Sequence, residues 1–380
     1  MSDDRRLHAH LIGQQGSRRS LNTPVLVLGR SALDRNIATM AGLARARGVA
    51  LRPHAKTHKS VDIAKRQIAA GAIGLCCAKL GEAEVMVGGG ITGVHITSPV
   101  VSPPATARVV TLNDRAEGLM VVVDDPANVA ALGRALATSD KALGVIIDVD
   151  PGIRRTGVPS AEAAVALARV IEEEPKLVYR GVQFYCGMQQ HIEDYAQRRA
   201  AIEERTAYLQ TVIAALTDAG FAPGIVTGSG TGTHAIDLDL GVFTELQVGS
   251  YVFMDRQYLD CDLTGGGAPP FETALFIDTR VVSANGPGMA TLDAGFKAMA
   301  TDGGPPKIVG GADGATFMFM GDEHGAIIGP AADTRHAIGD AITLAAPHCD
   351  PTVNLYDSYH VVDGDTLIDI WPVSARGRSR

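Results

Sequence analysis

The stretch LGVIIDVD at 143–150 decides how this chain folds. It is apolar without alternation and then ends in acidic residues. A half-exposed strand alternates apolar and polar side chains, so an unbroken run predicts a strand buried on both faces, with its polar end at a functional rim. LMVVVDD at 119–125 has the same form. Working outward, six further runs follow the pattern: VALRPH at 49–54, IGLCCAK at 73–79, GVHITS at 93–98, GVQFYCG at 181–187, GIVTGSG at 224–230 and ELQVGSY at 245–251. Between them lie helix-like segments such as 60–70, 81–88, 127–138, 160–173 and 193–219. Eight strand–helix units predict an α/β fold with a (β/α)8 TIM-type barrel. A doubly wound open sheet is the alternative. The run PVLVLG at 24–29 precedes the first barrel strand and is grouped with it, giving a barrel domain over 24–252.

Past residue 252 the texture changes. Glycine and proline become frequent, and FIDTRVVSA, KIVGGADGA, GAIIGP and DAITLAAPH predict antiparallel strands joined by tight turns. The second domain is therefore mostly β, over 253–380, and residues 1–23 can join it. The Arg-rich tail ARGRSR is expected to fray.

The chain has 380 residues, 46% hydrophobic and 20% charged, as expected of a soluble globular protein with a large core. A net charge of −8 argues against nucleic-acid and anionic-membrane binding. Five irregularly spaced cysteines do not form a disulfide framework. The polar N-terminus lacks an apolar leader core, so a cytoplasmic location is expected.

Five stretches carry candidate chemistry. LRPHAKTHKS at 51–60 crowds Arg52, His54, Lys56, His58 and Lys59 at a strand-to-helix turn. Lys56 stands just past the first barrel strand, where an amine can form a Schiff base with an aldehyde cofactor, and neighbouring cations would lower its pKa. TGSGTGTH at 227–234 offers Thr227, Gly228, Ser229, Gly230 and Thr231, with glycines able to aim backbone N–H groups at an anion. Gly249, Ser250 and Tyr251 supply the loop after the eighth strand, and phosphate sites in such barrels favour the last two loops. Arg155, in DPGIRRTGV at 150–158, can pair with an oxyanion. In FYCGMQQH at 184–191, Tyr185 can line a cofactor ring and His191 can act as acid or base. Finally, HCDPTVN at 348–354 places His348 and Asp350 two apart, on one face if the segment is a strand, as half of a divalent-cation site.

Together, RPHAKTHK, R-T-G-V, TGSGTGTH and especially HCDPTVNLYD resemble the pyridoxal 5′-phosphate enzymes with an alanine racemase-like (fold type III) barrel. Within them, the metal-activated D-threonine aldolase and D-serine dehydratase group is the match. The resemblance spans almost the whole chain in order. It implies that Lys56 carries the cofactor, that the loop at 228–233 and Gly249–Tyr251 bind its phosphate, and that Arg155 and Tyr185 contact the ring or its substituents. It also implies that His348 and Asp350 hold the metal, that His191 lies near the substrate, and that the protein is a homodimer. The dehydratase branch has a His-x-Cys pair; the carboxylate of Asp350 is closer to the aldolase branch and suits Mn2+, with Mg2+, Ca2+ or Zn2+ as alternatives. The expected reaction is retro-aldol cleavage of D-threonine and other D-β-hydroxy-α-amino acids to glycine and an aldehyde. The alternative is dehydration of D-serine or D-threo-3-hydroxyaspartate to a 2-oxo acid and ammonia. A non-catalytic pyridoxal-phosphate carrier is the reading from a different class.

Overall fold

The computed structural model describes residues 3–331 and 334–380. All eight apolar runs are strands of one parallel sheet: Ala50–Leu51, Cys76–Cys77, His95–Ile96, Met120–Val123, Leu143–Asp148, Leu177–Phe184, Ile225–Gly228 and Glu245–Leu246. Each pairs with the next from the second to the eighth, and the first pairs with the eighth. A parallel bridge between His54 and Cys76 joins the first strand to the second, so the sheet closes as a barrel. The helices Val61–Ala69, Leu80–Gly88, Pro126–Leu136, Ala161–Glu172 and Tyr195–Asp218 fall on the expected segments.

The strands are buried on both faces for different reasons. Val121, Val123, Val145 and Ile147 point outward into the large core shared with the helices. Met120, Val122 and Ile146 point inward and form a small separate cluster inside the barrel. Nearer the C-terminal ends the interior is polar. Gln183 Nε2 donates to Asp148 Oδ1 at 2.9 Å, and Gln247 Nε2 donates to Gln183 Oε1 at 3.1 Å and Thr227 Oγ1 at 3.0 Å. Burial pushes the Asp148 carboxyl up to about 6. This bonded layer is the floor of the mouth.

The second sheet has nine strands. The run at 24–29 belongs here and not to the barrel: Val25–Gly29 lies between Leu275–Gly286, antiparallel, and Ser358–Asp363, parallel. Its apolar pattern correctly signals burial on both faces, since Leu26 and Leu28 enter the main core while Val25 and Val27 pack with Leu11, Leu367 and Ile370. Periodicity reports that burial but does not say which sheet provides it. The segment before it joins the same sheet, through Gly13 N–H donating to Leu367 O at 2.8 Å and the Arg18–Asp278 ion pair at 2.7 Å. The Arg-rich tail does not fray. Ala375 is buried, its N–H donates to Lys59 O at 2.8 Å, and Arg380 O accepts from Gly81 N–H at 2.9 Å. No helix among the described residues is long and apolar enough to cross a membrane.

Candidate active site

The positive cluster at 51–60 resolves into three separate arrangements. Arg52 points to the N-terminal end of the barrel and makes a buried two-point pair with Glu245, at 2.9 and 3.0 Å. Removing one partner of such a pair costs roughly 3–5 kcal/mol. Lys59 pairs with buried Glu82. His54 and His58 are buried and held neutral, the first well below its ordinary range and the second down to about 4. His54 Nδ1 accepts from Lys56 N–H at 3.3 Å, which leaves its Nε2–H to donate to Thr97 Oγ1 at 3.1 Å. Only Lys56 remains half-buried, at the wall of a cavity of about 500 Å³ above the barrel floor.

Seven predicted residues line this cavity: Lys56, Arg155, Tyr185, Gly230, Thr231, Gly249 and Ser250. The Arg155 guanidinium stands 5.6 Å from the centre of the Tyr185 ring. Two loops meet where Thr231 Oγ1 accepts from Tyr251 N–H at 2.9 Å. Glycine is required at both. A Cβ on Gly230 would lie 2.3 Å from Gln190 Oε1, and one on Gly249 would lie 2.8 Å from Thr57 Oγ1. Thr227, Gly228, Ser229 and Tyr251 are not on the wall. Thr227 and Gly228 bond to Gln247, and Ser229 is buried. The Tyr251 ring turns into the core beside Phe271, with its hydroxyl accepting from Gln67 Nε2 at 3.0 Å.

The second sheet brings the remaining groups. His348 and Asp350 are not on a strand as expected; His348 is the extended residue before the short helix Cys349–Val353, with Asp350 in its first turn. The pair meets nonetheless, with His348 Nε2 at 3.9 Å from Asp350 Oδ2. Cys349 is fully buried, its N–H donates to Asp255 Oδ2 at 2.8 Å, and burial pushes its thiol well above the ordinary cysteine range. Asp350 Oδ1 stands 2.9 Å from Lys56 Nζ, and Asp350 Oδ2 accepts from Thr57 Oγ1 at 3.1 Å.

This pairing reverses one expectation. Lys56 is not a low-pKa amine in this structure: the adjacent Asp350 charge raises it well above the ordinary lysine value, against burial and Arg155. Burial acts against the Asp350 charge in turn, but the Lys56 cation prevails and lowers that carboxyl to about 2. His191 does not line the cavity; its ring packs on Tyr258, which does, with centres 4.6 Å apart. Burial, then the charges of His348 and Lys56, lower His191 to about 4.

Several residues at the mouth escaped the sequence reading. Thr97, Gln183, Gln247 and Tyr258 line the cavity, and Asp302 bonds to His348. Alternation along the third, sixth and eighth runs marks the first three as inward-facing, yet without a partner in view a polar residue on a strand end carries no role. His54 was in plain sight, two residues before Lys56.

A sequence model of the alanine racemase N-terminal domain matches residues 29–257, and one of a putative serine dehydratase domain matches 274–362. A 3-hydroxy-D-aspartate aldolase of Paracoccus denitrificans is 38% identical over 362 residues, covering 94% of this chain and 93% of that protein. The chain belongs to the alanine racemase-like family of the D-threonine aldolases. The crystal structure of D-threonine aldolase from Filomicrobium marinum superposes with a TM-score of 0.91 at 37% identity, over 95% of this chain and 97% of that one. A D-threo-3-hydroxyaspartate dehydratase of Delftia is more distant, at 28% identity over 93% of this chain and 97% of that protein. The family's fold, an alanine racemase-type barrel with a C-terminal mostly-β domain, is the fold described above.

Proposed function

We propose that this protein cleaves D-β-hydroxy-α-amino acids between Cα and Cβ, giving glycine and an aldehyde, with pyridoxal 5′-phosphate and a divalent metal ion. The observation that carries this reading is the convergence of Lys56, on the wall of the cavity, with Asp350 and His348 from the second domain, at 2.9 and 3.9 Å in succession behind it.

The residues fit both groups. Gly230 and Gly249, on two loops that line the same cavity as Lys56, let the backbone pack directly against Gln190 and Thr57, so main-chain groups and not side chains form that part of the wall. In this reading Lys56 holds the cofactor, the backbone at Gly230–Thr231 and Gly249–Ser250 faces its phosphate, and Arg155 and Tyr185 flank its ring. Two ligand atoms each about 2.1 Å from one ion stand no more than about 4.2 Å apart, and His348 Nε2 and Asp350 Oδ2 meet that limit. One imidazole and one hard carboxylate suit Mn2+, Mg2+ or Ca2+ better than a thiolate site would.

When bound, pyridoxal phosphate supplies a sink for the electron pair left at the substrate Cα. The metal would supply Lewis acidity at the β-hydroxyl. The chain's own part is positional and acid–base. His191, packed on the cavity residue Tyr258, is the imidazole able to accept the hydroxyl proton through a water. His54 and Thr97 fix the wall next to Lys56. Lys56, in its ammonium form, is the group able to give Cα the proton that replaces Cβ, on its own face, and is left as the neutral amine. Manganese as the ion, a homodimer, and a cytoplasmic setting for five free, buried cysteines belong to the same proposal.

Incubation with D-threonine or D-3-hydroxyaspartate and Mn2+, followed by product identification, tests the reading. Glycine with an aldehyde supports it. Ammonia with a 2-oxo acid replaces it with the dehydratase reaction, and a yellow protein inert toward every such substrate and metal replaces it with a carrier.

A further inference from the structure

We infer that Asp302 is a positioning residue for the His348 imidazole, selecting the tautomer and ring angle in which His348 can ligate a metal. This rests on the reading of His348 and Asp350 as the metal-holding pair.

Asp302 lies in the loop before the strand Lys307–Gly310, 46 residues upstream of His348. Its Oδ2 is 2.7 Å from His348 Nδ1. A carboxylate offers only acceptors, so Nδ1 carries a proton, and in the neutral ring the lone pair is then on Nε2. That lone pair is the one on the side of Asp350, at 3.9 Å. A carboxylate on the far nitrogen of a metal-bound histidine both orients the ring and makes it more basic.

The Asp302 side chain is exposed, but the loop that carries it is held in place. The loop is tied to the His348 segment on both sides of Asp302. Ala300 N–H donates to Thr352 Oγ1 at 3.0 Å, and Thr352 Oγ1 donates to His348 O at 2.6 Å. On the other side Gly303 packs so closely that a Cβ there would be 2.9 Å from Pro347 O, and Arg256 donates to Pro305 O at 2.7 Å. The backbone therefore fixes where the Asp302 carboxylate can reach. Lys56, on the other side of Asp350, already compensates that carboxylate, so charge balance alone does not call for Asp302.

The test is metal affinity, read independently of turnover. Purified holoenzyme is stripped with EDTA, dialysed and titrated with Mn2+, with free Mn2+ followed by electron paramagnetic resonance. Asp302→Ala should weaken binding by about 10–100-fold, with the cofactor's visible absorbance and the melting temperature of the stripped protein unchanged. Asp302→Asn, which keeps an acceptor but no charge, should fall between, and Asp302→Glu should recover part of the loss. Wild-type affinity in Asp302→Ala overturns the inference. So does a loss accompanied by a fall in melting temperature, which would make Asp302 a loop brace. If the wild-type protein itself takes up no Mn2+ while Lys56 still carries the cofactor, the metal reading fails and this inference falls with it.

Discussion

Lys56 Nζ and Asp350 Oδ1 stand 2.9 Å apart, one from the end of the first barrel strand and the other from a helix of the second domain. Nearly three hundred residues separate them in the chain. The Asp350 charge raises the Lys56 amine, and Lys56 in turn lowers the Asp350 carboxyl.

Lys56→Arg separates these two duties. Arginine retains a cation for Asp350 but cannot join to an aldehyde. The variant should therefore purify colourless, incorporate no cofactor on borohydride reduction, and melt close to the wild-type temperature. Lys56→Ala should be colourless too, with Asp350 left without its nearest cation and its pKa raised from about 2 toward the ordinary carboxylate value. Visible absorbance together with differential scanning calorimetry distinguishes the pair; a yellow Lys56→Arg protein places the cofactor elsewhere.

Chelation should inactivate the enzyme without bleaching it. Treatment with EDTA is expected to abolish product formation while leaving the cofactor absorbance, and Mn2+ should restore activity. Asp350→Ala and His348→Ala should keep the colour and fail to respond to added metal. Activity measured before and after metal removal decides this, and an unaffected chelated enzyme would exclude a role for the ion.

Gly249→Ala and Gly230→Ala should loosen the cofactor. The added Cβ meets Thr57 Oγ1 at 2.8 Å in the first case and Gln190 Oε1 at 2.3 Å in the second. Gln190 is fully buried and already bonded to Gly232 N–H at 3.0 Å, so it has little freedom to yield. Overpacking of this kind costs about 1–3 kcal/mol. Dialysis at fixed protein concentration should release pyridoxal phosphate faster from both variants, and the melting temperature should drop modestly.

Stability should decline steeply on the acid side. Burial lowers His58, His234 and His360 to about 4 and His95 to about 3. A histidine whose folded pKa lies below its unfolded value binds a proton more readily when unfolded, so stability rises with pH. The contribution is complete above the unfolded value of about 6.5 and is lost as pH falls toward 4. Asp148 and Asp237, raised to about 6 by burial, run the other way and lose their contribution as pH rises through that value. Thermal melts from pH 7.5 to 4.5 should therefore show melting temperature falling below about pH 6.5; a flat profile would mean these rings are solvated.

The barrel was legible because each strand had to be buried twice, and LGVIIDVD and LMVVVDD say so without help from context. The strand at 25–29 looked the same locally, and its sheet is decided by partners at 275–286 and 358–363 that no short-range pattern names. The hairpin Ser358–Asp363 and Thr366–Pro372 had a signal, the Asp363–Gly364 turn, that went unread. At the site, Lys56, His348 and Asp350 stood out as residue types suited to their chemistry. The sign of the Lys56 pKa did not, because it depends on Asp350, a residue that only the tertiary fold delivers.

The central place of Val25–Gly29 in the second sheet has a consequence for synthesis. This strand is made before the barrel, yet both of its neighbours, at 275–286 and 358–363, are made after it. Its edges must wait, unpaired and strongly apolar, while some 250 residues emerge between. A nascent chain halted after the barrel would carry a loose sticky ribbon ahead of it, with neither partner yet made.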